Sequence, residues 1–276
     1  MPEWTEALRL PFVQRALAAS LGVALVCSLI SFFVVLRRIA FVGSGIAHIA
    51  FGGVALALVL GVAPLLGAGA FALAAALWIA APRSRAALSD DTAIGIAFAA
   101  AMALGVVCAS FGGARNVDLM TYLFGNVLTV TAADLWAVAA LGLVVLGLLA
   151  RHFRALVLVS FDEETARVLR LPADRLNALL FALIALTVVL AMRTVGLLLV
   201  SALLVIPGAV AQRTTRRLVP FLLVSLAVGV GSCLAGLALS FALDLPSGAS
   251  MVLVAALLYL LTPLAALGGP ESRGAS

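Results

Sequence analysis

Lysine is missing from this chain: all 17 basic residues among its 276 are arginine. A P-loop needs a lysine to reach nucleotide phosphates, and imine chemistry needs a free amine, so neither nucleotide binding by that motif nor a Schiff base is open to it. Any ATP chemistry must sit on another subunit. Charge of either sign is sparse, at 11% of residues, where a soluble domain carries about a quarter. Cysteine is limited to Cys27, Cys108 and Cys233, all inside apolar runs with no CxxC and no paired spacing. They read as small buried hydrophobes without a disulfide or redox role. There is no HExxH, no pair of histidines at helical spacing and no nucleophile elbow. Without a catalytic constellation the chain is expected not to be an enzyme.

What remains is apolar. Hydrophobic residues make up 65% of the chain and the mean hydropathy is +1.26, which predicts an all-α, polytopic integral membrane bundle. At roughly 20 residues per crossing there is room for about eight or nine transmembrane helices and almost nothing else, so residues 1–276 form a single transmembrane domain. The predicted spans run Val13 to Leu36, Ser44 to Leu60, Pro64 to Ala81, Thr92 to Phe111, Ala133 to Ala150, Leu176 to Met192, Gly196 to Ala211, Val219 to Leu243 and Ala249 to Leu267. Gly43, Gly45, Gly52 and Gly53 suit close helix packing in lipid. The opening MPEWTEALRLPFVQR carries acidic residues and lacks a small-residue cleavage site, so no removable signal peptide is expected.

The arginines set the orientation. Arg37 and Arg38, Arg83 and Arg85, the run Arg151, Arg154, Arg167, Arg170 and Arg175, then Arg213, Arg216 and Arg217, and finally Arg273 fall in alternate connections. Arg9, Arg15, Arg115 and Arg193 fall on the other side, together with Asp118, Asp134 and Asp244. The C-terminus is therefore placed in the cytoplasm, and nine spans put the N-terminus outside.

Two inner segments stand out. In the connection from Arg151 to Arg175, Ser160 and Glu163 have the spacing of a capping box, Glu163 and Arg167 pair at i, i+4, and Pro172 follows as a stop. A short cytoplasmic helix over Asp162 to Leu169 is predicted, and a solvated surface helix is the plainest account of it. In IPGAVAQRTTRR, Pro207 and Gly208 break or kink a span just ahead of a basic cluster, which would tip a short helix toward the cytoplasm. Ordinary inside-positive charge at a helix end is the competing account.

His48 lies inside a predicted span. An ionisable side chain at membrane depth is costly unless it faces protein or water, so it marks a substrate path by default. Ser44, His48, Gly52 and Ala55 share one helix face. Small side chains beside an imidazole leave space for water or an ion, and a neutral imidazole nitrogen is a ligand for zinc and similar metals. The alternative is that His48 hydrogen-bonds a neighbouring helix. In the outer loop FALDLPSGAS, Asp244 is either a hard oxygen ligand near an entrance or part of an Asp, Pro, Gly turn. His152, beside Arg151 and Arg154, reads as a solvated interfacial residue.

Taken in order, RRIAFVGSGIAHIAFGGVALAL, DLMTYLFGNVLTVTAADL, SFDEETARVLRLPADRLNALLFALIALTVVLAMRTVGLLLVSALLVIPGAVAQ and DLPSGASMVLVAALLYLL resemble the permease subunits of zinc, manganese and iron type ATP-binding-cassette importers. The similarity runs from about Arg37 to Leu261, and the blocks DEETARVLRLP and RTVGLLLVSALLVIP are its most specific parts. The resemblance implies a subunit of a prokaryotic cell (inner) membrane that pairs with a second copy as a homodimer. It also implies metal received from an extracytoplasmic metal-binding protein, a cytoplasmic ATPase as the motor, and no nucleic-acid partner. No cofactor is expected to be held permanently; the divalent metal ion is cargo. By the same resemblance His48, in GSGIAHIAFGG, lines the metal path. Family members often carry an aspartate one turn before that histidine, where this chain has Ser44. A carboxylate beside an imidazole makes a charged first-row metal site, whereas a hydroxyl is a weak neutral ligand, so the metal's identity stays open. The segment Gly208 to Arg217, with Arg213, Thr214, Thr215, Arg216 and Arg217, is similar to the coupling segment of related vitamin and siderophore permeases and is expected to touch the ATPase.

Two other transport classes compete with a metal-ion permease. A permease for a metal chelate or corrinoid would need a wide cavity. An ion-coupled secondary transporter acting alone would need intramembrane carboxylates, and none lies well inside a predicted span.

Overall fold

The computed structural model describes residues 10–81, 89–111 and 130–267. Every element among the described residues is a helix: α1 (Pro11–Leu36), α2 (Val42–Leu60), α3 (Pro64–Ala80), α4 (Asp90–Phe111), α5 (Ala132–Phe161), α6 (Glu163–Val168), α7 (Ala173–Thr194), α8 (Gly196–Leu203), α9 (Ile206–Thr214), α10 (Leu218–Leu243) and α11 (Ser247–Leu267). Seven segments are long and apolar enough to cross a membrane, with α8 and α9 counted together as Gly196–Thr214, and Pro64–Ala80 and Ser247–Thr262 add two shorter apolar helices. The protein is thus a multi-pass membrane bundle, and its spans fall where the hydropathy placed them.

Burial separates centre from rim. In α1, 72% of the best spanning window is buried inside the protein, against 22% in α5 and in α10. α1 is therefore a central helix, while α5 and α10 turn most of their apolar surface away from the interior of the chain. Close approach at the centre depends on glycine. A Cβ on Gly53 would lie 2.4 Å from the Gly67 carbonyl oxygen, and one on Gly52 would lie 2.5 Å from that of Ala101. Backbone touches backbone where α2 crosses α3 and α4, which is how small residues hold helices together in lipid.

The ends sort by charge. Arg37 at the end of α1 reaches Ser160 on α5 and Asn177 on α7, and the Arg213 guanidinium stacks 4.2 Å from the ring centroid of Tyr259 on α11. These arginine-bearing ends form one face, as alternating connections require. Leu65, Asp134 and Thr194, from α3, α5 and α7, line one cavity at the other face.

Two local expectations are corrected and a third is met. The cap of α6 is Asp162, whose carboxylate accepts from the Thr165 amide at 2.9 Å; Ser160 lies inside α5, and its hydroxyl is taken by Arg37 at 3.0 Å. Pro172 does not stop α6. Arg170 does, in the left-handed conformation at φ 58°, with the Leu171 amide reaching back to the Ala166 carbonyl at 3.0 Å, and Pro172 instead precedes α7 as its N-cap. The span Gly196–Thr214 breaks at Leu204 and Val205, ahead of Pro207. Pro207 can neither bond to nor pass the Leu203 carbonyl four residues back, so the expected break falls there, and Pro207 sits in the first turn of α9, where its missing amide costs nothing.

Candidate functional site

α2 begins at the arginine face and carries His48 six residues in, about 9 Å along the axis. His48 and Ser44 are each half-buried. The imidazole Nδ1 lies 2.7 Å from the Ser44 carbonyl oxygen. A carbonyl can only accept, so Nδ1 carries the proton and, in the neutral ring, the lone pair sits on Nε2. Nε2 has no hydrogen-bond partner among the described residues. The ring is steadied by Phe98 of α4, edge to face with centroids 5.0 Å apart, and Phe98 in turn meets Phe41 at 6.0 Å. The result is an imidazole of fixed orientation about a third of the way through the bundle.

The rest of the small-residue stripe is used differently. Gly52 packs on Ala101, while a Cβ on Gly105 would come into ordinary contact with the Gly52 Cα at 3.6 Å and the Ala55 Cβ at 3.9 Å. α4 therefore fills the space that the stripe leaves at Gly52 and Ala55, and only the Ser44 and His48 end stays partly open. Among the described residues no three His, Cys, Asp or Glu side chains converge as a metal cage. Asp244 stands apart from His48. It is exposed, ends α10 in the left-handed conformation at φ 52°, and is followed by the Leu245 amide bonded to the Ser240 carbonyl at 3.1 Å. That is turn geometry.

The break between α8 and α9 is held from α1. Ser31 Oγ donates to the Val205 carbonyl at 3.3 Å and accepts from the Gly208 amide at 2.8 Å. The Gly208 amide, freed by the break, is thus satisfied by a hydroxyl inside the bundle, which donates in turn to a carbonyl that also takes the Ala209 amide at 3.0 Å. Gly208 is buried against Ser31, so it positions the turn that follows and has no surface of its own. Beyond it Arg213, Thr214, Arg216 and Arg217 are exposed and Thr215 is half-buried.

A second projecting element stands on the same face. α5 has 30 residues, about 45 Å of helix, against a hydrocarbon core of about 30 Å. That length leaves about 15 Å of helix more than a crossing needs, and Phe161 at its end with Val168 and Leu169 on and beside α6 are 67%, 80% and 61% exposed. Apolar side chains exposed beyond the lipid mark a contact surface. Arg167 holds Glu163 at 2.7 Å and Asp174 at 2.6 Å, and the bond from Arg167, with a smaller one from Asn177, keeps the Glu163 carboxyl below the usual range. Sequence reading missed Ser31, Phe98 and Asn177. Each was a polar or aromatic residue in an apolar run whose partner lies on another helix.

The profile of the ABC 3 transport family matches residues 9–266. The chain belongs to that family. The membrane protein MntC of a manganese transport system in Halalkalibacterium halodurans is 38% identical over 256 residues, 93% of this chain and 88% of that one. The manganese import permease ScaB of Streptococcus gordonii is 34% identical over 251 residues, 91% of this chain and 90% of that one. Among solved structures, PsaBC from Streptococcus pneumoniae in complex with Fab superposes with a TM-score of 0.84 at 31% identity, covering 99% of this chain and 98% of that chain. An inward-facing structure of a putative metal-chelate type ABC transporter shares the fold at a TM-score of 0.70 and 19% identity, covering 96% of this chain and 89% of that chain.

Proposed function

We propose that this chain is the membrane permease subunit of an ATP-binding-cassette importer for a divalent transition metal ion, manganese or zinc in class. The metal comes from an extracytoplasmic metal-binding protein and a separate cytoplasmic ATPase drives its passage. His48 carries the reading: an imidazole fixed by its own helix backbone and by Phe98, with Nε2 left for a ligand. The relatives named for manganese transport support the choice of metal. One nitrogen falls short of the roughly four to six ligands such ions take. Water, the Ser44 hydroxyl and a second copy of the chain in a homodimer supply the remainder, and such a loose set suits transit because an ion must leave as readily as it enters. Asp244, exposed on the outer turn, offers one carboxylate for first encounter.

The ATPase sits on the arginine face. Arg213, Thr214, Thr215, Arg216 and Arg217 present one edge, positioned by the Gly208 and Ser31 lock, while α6 presents the apolar edge through Val168 and Leu169. The whole reading is tested by co-purifying the chain with its ATPase and measuring uptake and stimulated ATP hydrolysis in proteoliposomes with manganese, zinc, iron and cobalt. His48→Ala should abolish uptake at limiting metal while the complex still assembles. Normal uptake by that variant would sink the assignment of His48, and stimulation by a chelate or corrinoid in place of the bare ions would transfer the protein to that substrate class.

A further inference from the structure

Arg37, half-buried at the C-cap of α1, engages two other helices at once. Its Nε donates to Ser160 Oγ at 3.0 Å and its Nη2 to the Val159 carbonyl at 3.5 Å, both on the last turns of α5. Nη2 also donates to Asn177 Oδ1 near the start of α7. Asn177 passes the contact to α6, its Nδ2 donating to Glu163 Oε2 at 3.4 Å. On the other side of Arg37 the chain runs straight into α2. Arg38 takes the left-handed conformation at φ 60°, the Ile39 amide bonds back to the Val34 carbonyl at 3.1 Å, and the Val42 amide bonds to the Ile39 carbonyl at 3.0 Å. Ile39 is buried, and a Cβ on Gly43 would lie 2.9 Å from Leu204 Cδ1 at the α8 to α9 break. The turn is a fixed shape wedged between the break and the arginine.

We propose that Arg37 is a positioning residue that ties α6 to the helix bearing His48, so that displacement of α6 on the ATPase is delivered to the ion path through one guanidinium. This rests on the reading of α6 as an ATPase contact. A planar fork bonded to a hydroxyl, a carbonyl and an amide resists rotation as a lysine ammonium cannot. Packed helices pass on such shifts as rigid bodies.

The test uses the full permease and ATPase complex in proteoliposomes, in a background with Cys27, Cys108 and Cys233 replaced by alanine. Three quantities are read: ions moved per ATP, crosslinking of Val168→Cys to the ATPase, and the rate at which Ser44→Cys is modified by a thiol reagent with and without trapped nucleotide. With Arg37 present, crosslinking should occur and the Ser44→Cys rate should respond to nucleotide. Arg37→Gln should keep the crosslink and basal ATP hydrolysis, lower ions per ATP at least tenfold, and abolish the nucleotide response at Ser44→Cys; Arg37→Lys should behave likewise. Asn177→Leu, which removes the Arg37 bond to α7 and with it the onward bond to Glu163 on α6, should reproduce the loss and serves where Arg37→Gln does not assemble. A nucleotide response retained in Arg37→Gln, or in Asn177→Leu where the first variant fails, overturns the proposal, because a merely structural staple would change assembly and leave that response intact. No crosslink from Val168→Cys with Arg37 present would overturn the reading of α6 itself, a separate failure.

Discussion

Gly208→Ala should destabilise the bundle at the α8 to α9 break, and no second substitution at Ser31 should rescue it. A Cβ at position 208 would lie 2.6 Å from Ser31 Oγ, 2.7 Å from the Ser31 backbone oxygen and 2.9 Å from Val35 Cγ2. The hydroxyl can be cut away, but the main chain of α1 cannot. Relief therefore requires α9 to move off α1, which stretches the 2.8 Å bond from the Gly208 amide to Ser31. Overpacking of this kind costs about 1–3 kcal/mol and the lost bond about 1 kcal/mol, so roughly 2–4 kcal/mol is expected.

Gly229 supplies the contrast. A Cβ there would meet Ser28 Oγ at 1.9 Å, but its next contact is Ser28 Cβ at 3.2 Å, and Ser28 Oγ is buried with no hydrogen-bond partner among the described residues. Ser28→Ala removes the obstacle without breaking a bond. Gly229→Ala alone should cost about 1–3 kcal/mol, and the Gly229→Ala, Ser28→Ala double variant should return to within about 0.5 kcal/mol of Ser28→Ala. Equilibrium unfolding in mixed detergent micelles, followed by circular dichroism, measures both cycles. If Gly208→Ala with Ser31→Ala is as stable as Ser31→Ala alone, the main chain of α1 is not the obstacle and the account of the lock is wrong.

Ser44→Asp places a charge beside His48 and should tighten metal binding by roughly a few kcal/mol in a low-dielectric site while slowing release; unchanged affinity and selectivity in equilibrium binding and uptake would show that the ion passes elsewhere. The Asp162 carboxyl, held low by its bonds from Thr165, and that of Glu163, held low chiefly by Arg167, stabilise α6 above the ordinary carboxylate range. Because both are depressed in the folded state, that contribution is lost as pH falls through their folded values. A spin label at Val168→Cys should therefore gain mobility below about pH 4, and a label whose mobility is flat with pH refutes the assignment. On the cytoplasmic face, Val168→Glu with Leu169→Glu should weaken ATPase co-purification at least as much as charge reversal at Arg216 and Arg217, and both more than reversal at Arg83 and Arg85; the opposite ranking would move the contact to another loop.

The spans were legible because their signal is local. A run of about 20 apolar residues is its own evidence, and the ends at Leu36, Leu60 and Leu243 match the helices observed. What failed depended on distant partners. Ser160 has capping-box spacing to Glu163, yet Asp162, one residue before Glu163, is an equally good cap, and Arg37, 123 positions away, claims the hydroxyl. The break at Pro207 was legible, because proline removes the bond to the Leu203 carbonyl, the last residue of α8; Ser31, 177 positions from the Gly208 amide that it holds, was not. Gly52 and Ala55 looked like open space beside His48, and periodicity alone could not reveal that Ala101 and Gly105 of α4 would fill it.

His48 differs from the other polar side chains of the spans in what its own helix can offer it. Polar side chains inside spans ordinarily satisfy themselves on their own helix: Thr187 donates to Leu183 at 2.8 Å, Ser201 to Leu197 at 2.9 Å and Ser250 to Pro246 at 3.0 Å. A helix offers its side chains only carbonyls, because its interior amides are already used. A hydroxyl proton can be spent that way, and so can the Nδ1 proton of His48, which goes to Ser44. A lone pair cannot. The Nε2 lone pair needs a donor or a cation from outside its own helix, and the neighbouring side chain described there is the ring of Phe98, which offers neither. The nitrogen that helix chemistry cannot satisfy is thus the one that the proposed metal path requires.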